Sequence, residues 1–148
     1  MSHTADVQYT LLLILEYIPV LFFLKFLGST TSLKHSFEEA SSALFSYMTE
    51  LYRIEERAEI EIKVEGHDFE SLLYNFLEEM LFVFSTEFFA VKRTQITLFE
   101  NYRIEATCYG EAWDAKRHSC GTEIKAITFC NMKINHEEPY HIYIVVDI

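Results

Sequence analysis

Two aspartates at opposite ends of the sequence are the side chains best suited to chemistry. Asp6 ends a short polar run, and Asp147 is the penultimate residue, followed by Ile148 with its α-carboxylate. Terminal strands of one sheet can lie side by side, which would gather three oxygen donors at one point. Hard cations such as Ca²⁺ and Mg²⁺ prefer sites of this kind. Spacing alone indicates the site only weakly, because exposed aspartates near opposite termini are usually just solvated.

Other reaction types have little support in the sequence. The four glycines form no phosphate-binding loop or nucleophile elbow, and the three cysteines form no C-x-x-C pair. His118 and Cys120 could pair as base and nucleophile, but no orienting third group is evident. Metal-assisted hydrolysis at Asp6 and Asp147 would need a general base, and none can be named. We therefore expect a protein that is not an enzyme, with free thiols in a reducing compartment.

The charge of the chain is strongly acidic. It has 23 acidic and 12 basic residues, a formal net charge of −11. A phosphate backbone would be repelled by this average, so direct sequence-specific binding of nucleic acid is not expected. The acidity favours a cation or a basic protein partner, or it serves only to keep the protein soluble.

Hydrophobic periodicity predicts one α+β domain over residues 1–148, with two helices packed on a mostly antiparallel sheet. Ser32 and Asp68 are the expected N-caps of the helices. The loop 114–121 is dense in charge and carries His118; a lone histidine is far more often a surface or capping residue than a ligand. The predicted elements are a helix over 32–52, a strand over 58–66, a helix from 68 to about 84, and strands over 88–99, 102–113, 122–134 and 141–147.

The apolar stretch from Tyr9 to Leu27 has several readings. Its length approaches that of a membrane span, although Glu16 and Pro19 interrupt it. No basic region precedes it and no small-residue cleavage site follows it, which argues against a signal peptide. A buried strand or helix is a second alternative. An in-frame insertion that the domain does not need is a third, and the family pattern below favours it.

A combination of short runs is more specific than any of them alone. The late run 121–129, Gly-Thr-Glu-Ile-Lys-Ala-Ile-Thr-Phe, stands between an opening His-Thr-Ala-Asp-Val and a closing Val-Val-Asp-Ile. Together with the supporting residues named in the next sentence, these runs resemble the archease family over residues 3–8 and about 24–148. The supporting residues are Gly110, Glu111, Asp114, Arg117 and His118, with 72–84 for the second helix and 37–49 for the first.

The resemblance implies an accessory role in RNA ligation. Archeases assist the GTP-dependent ligase that joins tRNA halves, promoting guanylylation of the ligase's active-site histidine and its turnover. Carried over to this chain, a divalent cation, commonly Ca²⁺ in the family, would be held by Asp6, Asp147 and the carboxylate of Ile148. Glu123 and Lys125 would contact the ligase or its nucleotide, or else form a buried ion pair that organises the sheet.

The expected partner is therefore the catalytic subunit of the tRNA-splicing RNA ligase and its complex, in the cytoplasm or nucleus. The alternative is a chaperone or modulator of an RNA-modifying enzyme such as a tRNA methyltransferase. Association with a membrane is not expected.

The sequence departs from the family pattern between Gln8 and Leu24. The family passes from Val-Gln directly into a short strand that ends in Gly, whereas this chain has extra apolar residues before Leu24-Lys25-Phe26-Leu27-Gly28 resumes the pattern. We therefore predict that residues 9–23 are an in-frame insertion. It would separate Asp6 from the fold and leave it less firmly held, as is usual for termini that are not tied into a sheet.

Overall fold

The computed structural model describes residues 8–12, 21–27, 32–121, 123–135, 137 and 140–147. This part of the chain forms two helices and seven strands, with two strands before the first helix, one between the helices and four after the second. They are β1 Gln8–Leu12, β2 Leu21–Leu27, α1 Leu33–Met48, β3 Ala58–Glu65, α2 Phe69–Glu87, β4 Phe89–Glu100, β5 Arg103–Ala112, β6 Ala126–Asn135 and β7 His141–Asp147, with a 3₁₀ turn at Leu51–Arg53.

The predicted α+β class is confirmed, but the strands form two sheets instead of one. One sheet has three strands in the order β3-β5-β4, and the other has four in the order β1-β2-β7-β6. Every pairing is antiparallel. The inward side chains of both sheets meet the two helices in one hydrophobic core. The architecture is therefore a sandwich of helices and sheets. The first two strands, β1 and β2, and the last two, β6 and β7, form the larger sheet.

Both helices begin at the predicted caps. The Ser32 hydroxyl accepts the backbone N–H of His35, and the Asp68 carboxylate accepts that of Ser71 in a reciprocal capping box. The first helix ends at Met48, earlier than the predicted residue 52, because Thr49 turns the chain into an extended conformation. Apolar residues at three- and four-residue spacing put one face of each helix in the core.

The three-stranded sheet is built from local connections. Ile62 and Val64 of β3 are buried while the glutamates beside them face outward, as the alternating pattern predicts. A two-residue turn joins β4 to β5, and both of its residues, Asn101 and Tyr102, have positive φ. Ile96, Ile104 and Ala106 are buried, whereas Leu98, beyond a register shift in β4, is half-buried.

The four-stranded sheet brings distant segments together. Its β7 lies between β2 and β6, with Ile142, Ile144 and Val146 buried on one face. The prediction that the sixth strand starts at residue 122 is wrong, because β6 starts at Ala126. The physical reason is that the pairing of β6 with β7 begins where Ala126 lies opposite Asp147, the last residue of β7.

One glutamate from each helix binds a backbone N–H of the sheet below it. Glu38 of α1 accepts the N–H of Ile96 in β4 at 2.9 Å, and Glu78 of α2 accepts that of Ile127 in β6 at 3.0 Å. Both donor amides lie beside irregularities of the strand register, at Ile96/Leu98 and between Thr128 and Lys133. A carboxylate is a strong acceptor, so each contact satisfies an amide near a point where the ladder is interrupted.

The predicted insertion overlaps two strands. Residues 9–12 belong to β1 and residues 21–23 to β2, while residues 13–20 lie outside the described part of the chain. Strand structure does not distinguish an inserted segment from an original one, so the insertion stays a prediction. Within the described residues, no helix is both long enough and apolar enough to cross a bilayer.

Candidate functional site

A buried carboxylate, that of Glu111, organises the end of β5 and the loop that follows. Its side chain is 4% exposed and contacts Arg117 and His118 through Oε1. Its other oxygen accepts the backbone N–H of Glu55 at 3.3 Å and lies 3.4 Å from Nε of Arg57. A carboxylate removed from water needs partners of this number and charge. Glu111 therefore links the loop after β5 to the segment before β3.

His118 is held in one neutral tautomer. The backbone N–H of Asp114 donates to its Nδ1 at 2.8 Å, so Nδ1 carries no proton and Nε2–H donates to Glu111 at 2.6 Å. Burial lowers the pKa of His118, and the adjacent Arg117 guanidinium lowers that pKa further. The expectation of a surface histidine is wrong, because the side chain is 2% exposed.

The cysteines offer no nucleophile activated by this histidine. Both ring nitrogens of His118 are hydrogen-bonded, one to the backbone N–H of Asp114 and the other to Glu111. Cys120 is exposed to solvent. A His118–Cys120 pair is therefore not formed. Cys108 is buried, and desolvation raises the pKa of its thiol to about 11, so it stays protonated at neutral pH.

The loop 114–121 is fixed at further points to α1 and to the end of α2. The Thr49 hydroxyl donates to the carbonyl of Ser119 at 2.8 Å, and the N–H of Gly121 donates to the carbonyl of Met48 at 2.7 Å. A Cβ at Gly121 would lie 2.6 Å from the carbonyl oxygen of Tyr47, so only glycine permits this approach. The backbone N–H of Trp113 donates to the backbone carbonyl of Phe88 at 2.6 Å. Gly121, the first residue of the late run 121–129, thus helps to hold this loop.

Glu123 and Lys125 follow that loop and lead into β6. Both side chains are exposed, while Ile124 between them is 6% exposed and belongs to the core. The alternative of a buried ion pair between Glu123 and Lys125 is therefore wrong. Ile124 anchors the segment from one side and the Glu78 contact with Ile127 fixes the strand that follows. Two opposite charges are consequently displayed to solvent on a held backbone.

The predicted cation ligands are only partly within the described residues. Asp6 and Ile148 lie outside them, and for Asp147 only the backbone is described. That backbone pairs with Leu21 on one side and Ala126 on the other. The end of β7 is thus a direct neighbour of the segment that carries Lys125. Among the side chains that are described, no group of three or more His, Cys, Asp or Glu residues is arranged to hold a metal.

The strand register relates the two predicted ligands to opposite ends of β2. Gln8, two residues after Asp6, pairs with Leu27, whereas Asp147 pairs with Leu21. These two positions of β2 are about 20 Å apart at the usual rise of a strand, while two residues of chain reach about 7 Å. The three-ligand site stays a prediction, and its geometry depends on how Asp6 is connected to β2.

Without residues 9–23 the connection would change in a defined way. Gln8 would join directly to Leu24, which places Asp6 three residues before Leu24, where Leu21 now stands. Leu21 is the residue opposite Asp147. An uninterrupted chain in the same register would therefore bring the two aspartates side by side.

An open groove of about 400 Å³ lies beside the held loop, and sequence reasoning did not find it. Its walls come from the end of α1, the end of α2 and the segment 120–124. Phe88 is 65% exposed and is in the left-handed backbone conformation, with φ of 53°. For a bulky side chain that conformation costs about 1–2 kcal/mol. The sequence signal was the absence of Gly or Asn where the second helix must end.

Fold and site together describe a small α+β protein in which the exposed Glu123 and Lys125 follow a hydrogen-bonded loop, 114–121. Comparison with known proteins gives the family. The model of the Archease protein family matches residues 24–148, and the chain belongs to this family.

Relatives from animals and archaea agree with that assignment. "Protein archease-like" of Drosophila melanogaster is 39% identical in an alignment that covers all of this chain and 88% of that protein. "Protein archease" of Danio rerio is 38% identical over 79% of this chain and 74% of its own length. "Protein archease" of Pyrococcus abyssi is 37% identical over 72% of this chain and 78% of its own.

A solved structure has the same fold. The solution structure of Methanobacterium thermoautotrophicum Protein 1598 superposes with a TM-score of 0.67 at 25% identity, covering 86% of this chain and 91% of that one. The family model spans both helices and the strands from β3 onward, and the solved structure supports the same fold.

Proposed function

We propose that this protein is an accessory component of the tRNA-splicing ligase, promoting guanylylation and turnover of the catalytic RNA ligase subunit without joining RNA itself. Membership of the archease family supports the role. The observation that carries it furthest is the exposed pair Glu123 and Lys125 on a held segment beside the end of β7. An exposed ammonium on a rigid backbone suits contact with a carboxylate or phosphate at another protein's active site.

A divalent cation, Ca²⁺ in the first instance, is part of the proposal. Asp6, Asp147 and the carboxylate of Ile148 would hold it, and oxygen donors of this kind suit a hard cation. In register, Asp147 stands next to Ala126 and so near Lys125 in the chain. A cation there would add positive charge beside Lys125 and strengthen attraction for a nucleotide phosphate at the ligase. We place the protein in the cytoplasm or nucleus, where tRNA ligation takes place.

The direct test measures transfer of GMP to the cognate ligase. The ligase is incubated with radiolabelled GTP, with and without this protein, in buffers containing Ca²⁺ or a chelator. We expect the protein to accelerate formation of the covalent ligase–GMP species, and the effect to fall when the cation is removed. No acceleration by a folded sample in either buffer would refute the proposed function.

A paired substitution locates the effect. Lys125→Met should reduce the acceleration at least tenfold, because the exposed ammonium is lost while the apolar stem is kept. The matched control is Lys63→Met on β3, an exposed lysine whose ion pair with Glu105 spans 3.6 Å. Equal losses in both variants would mean that Lys125 acts only through general charge.

A further inference from the structure

The groove beside the loop 114–121 has the shape of a receptor for another protein's side chain. It opens between the last turn of α1, the last turn of α2 and the chain after the loop. Aromatic and aliphatic side chains supply most of its surface. The residues that matter for the argument are Met48, Phe84, Phe88, Trp113, Gly121 and Glu123. A concave apolar surface with one placed charge is typical of a binding site.

Phe88 is the residue of the groove that the fold does not need. Its side chain is exposed, so it adds little to the core, and its backbone has the left-handed conformation that glycine or asparagine adopts far more readily. Phenylalanine at this helix end therefore destabilises the free protein. Strain that packing does not explain is found most often at binding and switch positions.

The walls of the groove are formed in advance. Gly121 is hydrogen-bonded to the end of α1, and Trp113 to the carbonyl of Phe88. The Trp113 ring meets that of Phe84 edge-on at 5.5 Å and lies 5.1 Å from the ring of His118. Because His118 is tied to the buried Glu111, the aromatic wall is connected to the core of the molecule. A rigid receptor loses little conformational entropy when a partner binds.

The charge of the groove selects the kind of partner. Glu123 is exposed at its rim and makes no ion pair with any residue whose side chain is described. Among the described residues that line the groove, none is a lysine, arginine or histidine. The whole chain carries a formal charge of −11, which repels an RNA backbone and attracts a basic protein surface. The complementary ligand is therefore a polypeptide with an apolar side chain next to a lysine or arginine.

We propose that this groove docks a segment of the partner ligase, with an apolar side chain of that segment packed against Phe88 and a neighbouring basic residue paired with Glu123. This inference rests on the proposed function, because it takes the ligase to be the partner. It assigns Phe88 and Glu123 to recognition of the partner and leaves Lys125 and the β7 end to act at its active site. Buried aromatic anchors and desolvated charge pairs are the usual sources of affinity at such interfaces.

The test uses Phe88→Gly and Glu123→Lys in the full chain. The glycine variant removes the aromatic ring and suits the backbone conformation, so its melting temperature should be unchanged or raised by about 2–4 °C. We expect each variant to raise the concentration needed for half-maximal binding to the ligase at least tenfold, which is about 1.4 kcal/mol. Binding is measured by surface plasmon resonance on the immobilised ligase, and the Glu123→Lys effect should shrink as salt is added.

Two exposed aromatics serve as matched controls. Tyr102→Gly relieves the same backbone strain, at φ of 54°, away from the groove, and Phe82→Ala removes a phenylalanine that is 54% exposed on α2 but does not line it. Both should bind the ligase as the unaltered protein does. Normal binding of the ligase by Phe88→Gly and Glu123→Lys would refute the groove as the docking site, and the proposed function would still stand. Failure of the unaltered protein to bind or accelerate the ligase would overturn both.

Discussion

The two sheets are held to their helices by the same kind of contact but are assembled in different ways. In the three-stranded sheet, Glu38 binds β4, and the strands come from one continuous region that ends in the Glu111 cluster. In the four-stranded sheet, Glu78 binds β6, and β2 and β7 come from distant parts of the chain. Local hairpins close with little loss of chain entropy, whereas β2 and β7 must find each other across the sequence.

The two sides of this small protein also differ in the roles that we propose for them. The three-stranded side has a network of buried charge that fixes the loop 114–121 and with it the groove. The four-stranded side has the exposed Glu123 and Lys125 and the end of β7, and its assembly depends on how the chain enters β2. Changes in the buried-charge network of the first side should act mainly on stability, and changes near the end of β7 should act on cation binding and partner activation.

Deletion of residues 9–23 should have the largest effect, because it changes the connection into the four-stranded sheet. Gln8 then joins Leu24, and Asp6 takes the register position of Leu21 opposite Asp147. We expect Ca²⁺ affinity, measured by isothermal titration calorimetry after chelator treatment, to rise at least tenfold, or about 1.4 kcal/mol. Guanylylation of the ligase should rise in parallel.

The deletion has a direct control. Adding Asp147→Asn to the shortened chain should remove the gained affinity, since one carboxylate of the site becomes a neutral amide. Equal Ca²⁺ affinity in the full and shortened chains would contradict the insertion hypothesis. It would also show that Asp6 does not depend on β2 for its position.

The three-stranded side was the more predictable half. Caps and strand alternation are local properties, so Ser32, Asp68 and the face of β3 carrying Ile62 could be read from the sequence. The separation of the late strands into two sheets could not be predicted from the sequence. It follows from pairing between β2 and β7, and no local pattern records which distant strand becomes a neighbour.

The candidate site was predictable only in part, for a related reason. The late motif identified Glu123 and Lys125, and the structure finds them exposed where the sequence had left burial open. A surface or capping position was the general expectation for a lone histidine such as His118. Its burial depends on Glu111, seven positions earlier, turning inward to meet it. Such cooperation between a histidine and a carboxylate is decided by the three-dimensional fold.

Substitution of Glu111 tests whether the buried charges hold the three-stranded side together. Glu111→Gln replaces the buried carboxylate that contacts Arg117, His118 and the Glu55 amide with a neutral amide, and loss of such charge-assisted hydrogen bonds costs about 1.5–3 kcal/mol. Urea unfolding would measure the loss. The matched control is Glu105→Gln, whose exposed ion pair with Lys63 should contribute less than about 1 kcal/mol. Similar losses in both variants would contradict a special role for Glu111.

Parallel substitutions of the two helix glutamates compare the sheets directly. Glu38→Ala and Glu78→Ala each leave a backbone N–H without its carboxylate acceptor, at a cost of about 1–3 kcal/mol. Hydrogen exchange should accelerate at Ile96 in the first variant and at Ile127 in the second. Only Glu78→Ala should also weaken activation of the ligase, because it loosens the strand that follows Lys125. Loss of activation in the Glu38 variant would remove the functional distinction between the sheets.

The pH dependence of stability should report the state of His118. Its pKa in the folded protein is lowered by burial, so the unfolded chain takes up a proton first as the pH falls below about 6.5. Stability is therefore fully present above that value and decreases on acidification until the folded-state pKa is reached. One proton gives a slope of at most about 1.4 kcal/mol per pH unit. Urea unfolding between pH 7 and 5 should show this component in the unaltered protein and lose it in His118→Gln, whereas His67→Gln, with its side chain exposed, should keep it.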